Sequence, residues 1–298
     1  MNLKCDNYIL ITVVKNEQDY IEKTIQSVIH QTLIPLKWII VDDFSTDNTA
    51  QIIKKYEKDY PFIKLIFKTG KPERNFGSKA TAVMMGYDLI KDLNFNFIGN
   101  LDADVSFDPM YYENMINILK SNPKLGIVGG DTFNLYPKGY IKLKCARNSV
   151  GGPFQFFRRE CFDQIGGYQS LNYGGIDALA EIQARMNGWD VKTFQNFHVL
   201  HYRITGSANS KFLLHSRFKN GIKYYSLGDL PLFFLLRLSK TVFQKPFIIG
   251  SISSLLGFIW ASVIRYDREA SKETIKYLRN EQKTRLYSFF RFHRKSKL

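Results

Sequence analysis

Short apolar runs alternate with amphipathic stretches through the first two hundred residues, and this alternation restricts the fold more than any other feature. Residues 8–14, YILITVV, form a continuous β-branched run, the pattern of a strand buried on both faces of a parallel sheet. Ile21, Ile25, Val28 and Ile29 then recur at helical spacing, with Pro35 just past the expected end of that helix. A second strand over 38–41 runs into 42–49, a loop rich in helix-capping residues, after which Ile52, Ile53 and Tyr56 mark the next helix. The same reading gives strand over 63–67, helix over 78–91, strand over 95–101, helix over 109–120 and strand over 125–128. Strands alternating with helices in this way imply βαβ units and an α/β, doubly wound, mostly parallel sheet.

Composition divides the chain. The net charge of +15 is carried almost entirely by residues 203–298, which hold 19 basic and 5 acidic side chains, against 23 and 22 in residues 1–202. The change falls beside a small, polar, turn-prone stretch, Thr205 to Ser210, so a boundary is expected within 205–215, separating a domain over 1–206 from a basic, apolar, helical region over 207–298. With 45% hydrophobic and 15% aromatic residues the chain has enough apolar surface for a core, which excludes disorder. Cys5, Cys145 and Cys161 are odd in number and lack a CxxC spacing, which excludes a disulfide framework and a cysteine-built zinc site and fits a reducing compartment. The first apolar run is closed by Lys15 without a small-residue cleavage site, so no secretory signal is expected.

Ligands of such sheets bind outside the carboxyl ends of the strands, where loops converge and helix amino termini point. Acidic groups gather there: Glu17, beside Asn16, after the first strand, Asp42 and Asp43 after the second, Asp102 and Asp104 after the strand ending Gly99-Asn100-Leu101. Their mutual repulsion requires a cation or a set of hydroxyl donors between them, which implies a metal and a sugar-like ligand. Two carboxylates two residues apart lie on one side of an extended chain and suit a hard cation, Mg2+ or Mn2+, whose other positions are filled by water and phosphate. A solvated turn or a helix cap explains the same Asp-x-Asp pattern without a ligand.

The segments I11-T12-V13-V14-K15-N16-E17, V41-D42-D43-F44-S45-T46-D47-N48-T49, N75-F76-G77-S78-K79-A80-T81-A82 and L101-D102-A103-D104 together resemble, in order and spacing, the family 2 glycosyltransferases of GT-A fold. The resemblance continues through G174-G175-I176-D177-A178-L179-A180-E181, A184-R185-M186-N187-G188-W189 and H201-Y202-R203, covering about two thirds of the chain. It implies a nucleotide-sugar site in which Asn16, Glu17, Asp42 and Asp43 hold the base and ribose. Asp102 and Asp104 would then form the metal and diphosphate site. Gly77, Ser78 and Lys79 open a helix whose N–H groups and ammonium would meet the nucleotide, although Lys79 reads equally as a surface charge. His201 either completes the metal shell or is structural, and Arg203 either contacts the leaving diphosphate or faces solvent. Asp47 and Thr49 are expected to cap a helix.

The resemblance makes Asp177 the catalytic base of an inverting displacement. Family members commonly carry Glu-Asp at this point; Ile176 departs from that pattern, which bears on acceptor orientation, and Glu181, one turn on, is a substitute carboxylate.

Residues 246–264 are nineteen uncharged residues between Lys245 and Arg265, about 28 Å as a helix, and burial, an in-plane helix and a membrane crossing all suit them. Residues 230–238 are a second apolar stretch. Arg265, Arg268, Lys272, Lys276, Arg279, Lys283 and Arg285, interleaved with Tyr266, Tyr277 and Tyr287, suit an anionic membrane surface. Nucleic acid would use the cations but not the apolar segments, so no nucleic-acid partner is expected. The expected setting is the cytoplasmic face of the cell membrane, peripheral, monotopic or single-span, with a nucleoside-diphosphate sugar as donor and a glycan or lipid-linked acceptor. Two rival readings are a noncatalytic carbohydrate- or membrane-binding scaffold, suggested by Ile176, and a sugar-phosphate nucleotidylyltransferase, whose glycine-rich phosphate loop this chain lacks.

Overall fold

The computed structural model describes residues 6–70, 77–143, 146–203, 213–242 and 247–295. Cys5, Asn75, Phe76, Cys145, Lys245, Pro246 and the boundary stretch 205–210 lie outside them. The chain divides into two compact units: Met1–Asn172 with Ile176–Thr205, and Tyr173–Gly175 with Gly206–Leu298.

The first unit is built on a nine-stranded sheet of β1 (Tyr8–Val14), β2 (Lys37–Asp42), β3 (Ile63–Phe67), β4 (Phe97–Asn100), β5 (Val105–Phe107), β6 (Leu125–Tyr136), β7 (Gly139–Lys142), β8 (Phe156–Arg158) and β9 (Asp190–His201). The strand order is β3-β2-β1-β4-β8-β6-β9-β5, with β7 paired to β6. The parallel pairing expected from the sequence covers β3-β2-β1-β4. Beyond β4 the sheet is mixed: β8 runs antiparallel to β4 and β6, β5 antiparallel to β9, and β6 parallel to β9.

The helices are α1 (Ile21–Ile29), α2 (Thr49–Asp59), α3 (Gly77–Asp88), α4 (Tyr111–Ser121), α5 (Arg159–Gln164) and α6 (Ile176–Met186). Ile21, Ile25 and Val28 form the buried face of α1. Tyr8, Phe97, Tyr112 and Phe156 make one aromatic cluster in the core, with Tyr8 stacked on Tyr112 at 4.8 Å and Phe97 on Phe156 at 6.0 Å. Truncating Phe156 to alanine there should cost about 3–5 kcal/mol. Trp38 is fully buried and its indole N–H donates to Thr12 Oγ1 at 2.9 Å, so no polar atom of the side chain is stranded.

In the second unit α7 (Leu213–Ser226), α8 (Pro231–Thr241), α9 (Phe247–Val263) and α10 (Lys272–Lys295) share a small core of Ile222, Tyr225, Phe234, Phe258 and Ala261. The backbones of α7 and α9 touch: a Cβ at Gly221 would stand 2.0 Å from the Ser254 carbonyl oxygen, and one at Gly257 would stand 2.0 Å from that of Phe218. Among the described residues no helix is long and apolar enough to cross a membrane.

Candidate active site

The loops after β1 and β2 are stitched to each other by their own polar side chains. Asn16 and Phe44 both adopt left-handed backbone, φ 55° and 61°, a conformation Asn tolerates better than most residues. Asn16 Oδ1 accepts from the Thr46 N–H at 2.8 Å, and its own N–H donates to Ser45 Oγ at 3.1 Å. Asp47 Oδ1 accepts from the Thr49 N–H at 3.0 Å and from Thr49 Oγ1 at 2.5 Å, and Thr49 Oγ1 accepts from the Glu17 N–H at 2.7 Å. Asp47 thus caps α2 from one position before its N-cap residue, Asn48, while Thr49 ties the two loops together. Asp42, buried, accepts from the Ser45 N–H at 2.7 Å and so shapes the same loop.

The repulsion expected among the acidic groups is relieved in part within the chain, by lysine and arginine side chains and by a serine hydroxyl. Asp43 accepts from Ser78 Oγ at 2.8 Å and has Lys68 Nζ at 3.3 Å and Lys15 Nζ at 3.9 Å. Asp102 Oδ1 lies 2.5 Å from Lys79 Nζ. Arg203 pairs with both Glu17 and Asp104, its Nε 3.0 Å from Asp104 Oδ2. Its guanidinium also lies over the Tyr20 ring, which stacks on Tyr202 at 5.9 Å. Neither Lys79 nor Arg203 is a plain surface charge.

Strand register assembles the Asp104 group. His201 ends β9 between Val105 of β5 and Asn134 of β6, which brings its Nε2 to 3.2 Å from Asp104 Oδ2. Nδ1 meets Asn134 Oδ1 at 3.1 Å. With Nδ1 as the donor, Nε2 faces the Asp104 carboxylate, which also meets the Arg203 guanidinium. A carboxylate and an imidazole oriented by a second acceptor suit Mg2+ or Mn2+ by their chemistry. Asp102 is turned to Lys79 instead, and among the described residues no three His, Cys, Asp or Glu side chains gather to hold a metal.

Asp177 stands in the first turn of α6, beside a loop tied to Asp102. Asp102 donates its N–H to the Pro153 carbonyl at 2.8 Å, and Asn100 Nδ2 donates to the Gly152 carbonyl at 2.9 Å. Gly152 lies directly against the Asp177 carboxylate, where an added Cβ would be 2.6 Å from Oδ2. One short loop, 152–153, therefore touches both the Asp-x-Asp segment and Asp177. Burial alone would lower the pKa of Lys79, but Asp102 first and then Asp177 and Asp104 outweigh it, and the ammonium is held above its ordinary value.

Glu181, the substitute carboxylate, is engaged by partners of its own. It is buried, and its Oε1 accepts from the Val150 N–H at 2.6 Å and from Gln155 Nε2 at 3.1 Å, with Arg185 near the other oxygen at 3.7 Å. Burial pushes its carboxyl up to about 7. Gln155 also receives the Tyr168 hydroxyl at 2.6 Å and reaches the Asp177 carbonyl at 3.4 Å. Gln155, Tyr168, Gly152 and Lys68 are parts of this site that the sequence did not reveal. Of these only Gly152 lies in a local pattern that could have found it, the Gly151-Gly152-Pro153 run, whose composition is that of a turn.

The family model for glycosyl transferase family 2 matches residues 9–166. A poly-beta-1,6-N-acetyl-D-glucosamine synthase of Staphylococcus epidermidis is 29% identical over 213 residues, covering 63% of this chain and 45% of that protein. The synthase of the same name from Staphylococcus aureus (strain MSSA476) is 29% identical over 210 residues with the same coverage. The chain therefore matches less than half the length of these relatives. Among solved structures, the mannosyltransferase PcManGT from Pyrobaculum calidifontis, in complex with GDP-Man and Mn2+, aligns with a TM-score of 0.57 at 16% identity, over 96% of this chain and 82% of that one. S. aureus TarS 1-349 aligns with a TM-score of 0.53 at 14% identity, over 95% and 92%. The matched family model runs from β1 through β8, stopping short of β9, and includes the Asp-x-Asp segment and the loop against Asp177; the chain belongs to glycosyltransferase family 2, with the GT-A fold.

Proposed function

We propose that the first unit, Met1–Asn172 with Ile176–Thr205, transfers a sugar from a nucleoside-diphosphate sugar to a hydroxyl of a growing glycan or lipid-linked acceptor, with inversion at the anomeric carbon. The observation that carries this reading is the loop 152–153, which binds the Asp102 N–H on one side and abuts the Asp177 carboxylate on the other. Such an arrangement suits a leaving diphosphate and an attacking hydroxyl on opposite sides of one sugar.

In this reading Asp177 takes the proton of the acceptor hydroxyl. That oxygen attacks the anomeric carbon as its bond to the diphosphate breaks, and the nucleoside diphosphate leaves with the electron pair. Asn16, Glu17, Asp42 and Asp43 line the base and ribose end. Asn16 and Asp42 act there mainly by fixing the loop, since their side-chain oxygens accept from Thr46 and Ser45. Lys79 and Arg203 sit beside the acids and supply positive charge for the diphosphate. A divalent cation held by Asp104 and His201 with Asp102 would add Lewis-acid stabilisation of the leaving group.

The name of the synthases, together with a solved complex of S. aureus TarS 1-349 with UDP-GlcNAc (TM-score 0.52, 14% identity), makes a uridine-diphosphate N-acetylhexosamine the first donor to test. The excess of basic side chains from Arg203 onward supports an acceptor met at the cytoplasmic face of a membrane. The test is a panel of nucleotide sugars assayed for release of nucleoside diphosphate with Mn2+ and with chelator. Release from one donor that requires the metal and is abolished in Asp177→Asn is expected. Absence of release from every donor in the presence of acceptor lipid would leave the scaffold reading standing instead.

A further inference from the structure

The second unit carries one helix with two apolar faces. Gly250, Ser254, Gly257 and Ala261 of α9 are buried, two of them against α7 by the backbone contacts described above. On the opposite side Ile249, Ile252, Leu256, Ile259, Trp260 and Val263 are spaced three or four residues apart or adjacent and are 43–75% exposed. Three of the four serines of this helix are turned away from the exposed stripe. Ser253 Oγ donates to the Leu214 carbonyl at 2.7 Å, Ser254 Oγ to the Arg217 carbonyl at 2.9 Å, and Ser251 Oγ meets Thr241 Oγ1 at 3.2 Å. The outward stripe is therefore a continuous apolar surface without a charge, longer than the scattered exposed hydrophobics normal on a soluble protein.

We infer that this stripe of α9 is a lipid-docking surface, on which the helix lies in the plane of an anionic monolayer without crossing it. The inference rests on the membrane reading above and deepens it by naming the inserting face. Length and packing argue against a crossing: seventeen residues make about 26 Å, and one flank is committed to α7.

Charge argues for lipid over a second copy of the chain. The region from Arg203 onward holds 19 basic side chains against 5 acidic ones. Two of those five are neutralised locally, Asp229 by Arg237 at 3.4 Å and Glu281 by Arg285 at 2.5 Å. Lys240 at the end of α8, Arg265 just after α9, and Lys272, Lys276 and Lys283 on α10 are exposed. Two such surfaces facing each other would repel, whereas acidic headgroups around an apolar insert would satisfy both features.

The test uses the full chain with vesicles of phosphatidylglycerol and phosphatidylcholine, and with phosphatidylcholine alone. Co-sedimentation is expected with the anionic vesicles and should weaken with salt. Trp260 emission should shift to the blue and be quenched by brominated acyl chains, and this quenching should be absent in Trp260→Phe. Ile252→Glu with Leu256→Glu should lower vesicle partitioning at least ten-fold without altering the circular dichroism spectrum.

Failure of docking and failure of the enzymatic reading are separable, because release of nucleoside diphosphate to a water-soluble acceptor should persist in the double variant. Release without vesicle binding by the wild type would overturn the docking surface and leave the enzyme standing. A dimer that ignores vesicles, and that the double variant converts to monomer, would assign the stripe to a second copy and overturn the proposal.

Discussion

Lys79 Nζ stands 2.5 Å from Asp102 Oδ1, so the Asp-x-Asp segment is already partnered by a cation from the chain. A divalent ion and a diphosphate meeting this segment must compete with that ammonium or share the carboxylate with it. Lys79→Met therefore should act in two directions. Without nucleotide, Mn2+ should bind the variant more tightly than the wild type, because Asp102 is released. With nucleotide, the donor KM should rise about ten-fold, the equivalent of roughly 1.4 kcal/mol. Titration of Mn2+ followed by electron paramagnetic resonance, alongside steady-state kinetics, checks both. An unchanged Mn2+ affinity together with an unchanged KM would place Lys79 outside the site.

Gly152 gives the most local prediction. Its added Cβ would lie 2.6 Å from Asp177 Oδ2, and its nearest neighbours are all atoms of that carboxylate side chain, so Gly152→Ala must displace it. Transfer should fall about 100-fold or more, within the range for misplacing a general base, with donor binding preserved. Asp177→Asn should cause a loss of about 10²–10⁴ in kcat with the KM for donor little changed. Wild-type rates in Gly152→Ala would show that Asp177 is not constrained by this loop.

The buried Glu181 sets a pH dependence of stability. Its carboxyl is raised from 4.5 to about 7 by burial. The folded chain therefore keeps a proton that the unfolded chain releases between those values. The stability this protonated carboxyl supports is fully present below about 4.5, declines as pH rises toward about 7 and stays lost above it, roughly 3 kcal/mol in all. Glu181→Gln, which still accepts from Val150 and Gln155, should match the wild type in thermal melting near pH 4.5 and exceed it at pH 8. A variant that melts below the wild type at pH 8 would show that the ionised carboxylate is stabilising.

Much of the parallel half of the fold could be read locally. β1 and β3 have the bounds that their apolar runs suggest: β1 is buried nearly throughout, and β3, at the edge of the sheet, alternates buried Ile63 and Leu65 with exposed Lys64. β6 could be followed only to Val128, since Gly129-Gly130 reads as a terminator. In the structure the glycines admit a neighbour, and a Cβ at Gly130 would lie 2.2 Å from the Phe197 carbonyl oxygen of β9. β9 is half exposed and carries polar residues along its length, so it has no strong strand signal, yet it delivers His201.

The candidate site was legible to the extent that its groups belong to motifs. Asp104, His201 and Arg203 are brought together, as are Asp102 and Lys79. Lys68, which lies one residue past β3, and the pair Gln155–Tyr168 carry no pattern of their own. They join the site only through the register of β3 with β2 and the turn at 152–154.

In the proposed reaction Asp104 and His201, with Asp102 once released from Lys79, would hold a divalent cation that binds the nucleoside diphosphate. Calorimetric titration of UDP and GDP into the full chain, with Mn2+ and with chelator, for the wild type and for Asp104→Asn, tests it most directly. The account predicts that one nucleotide binds with Mn2+, and that removing either the metal or the Asp104 carboxylate weakens it at least ten-fold. Equal affinity under all four conditions would contradict it.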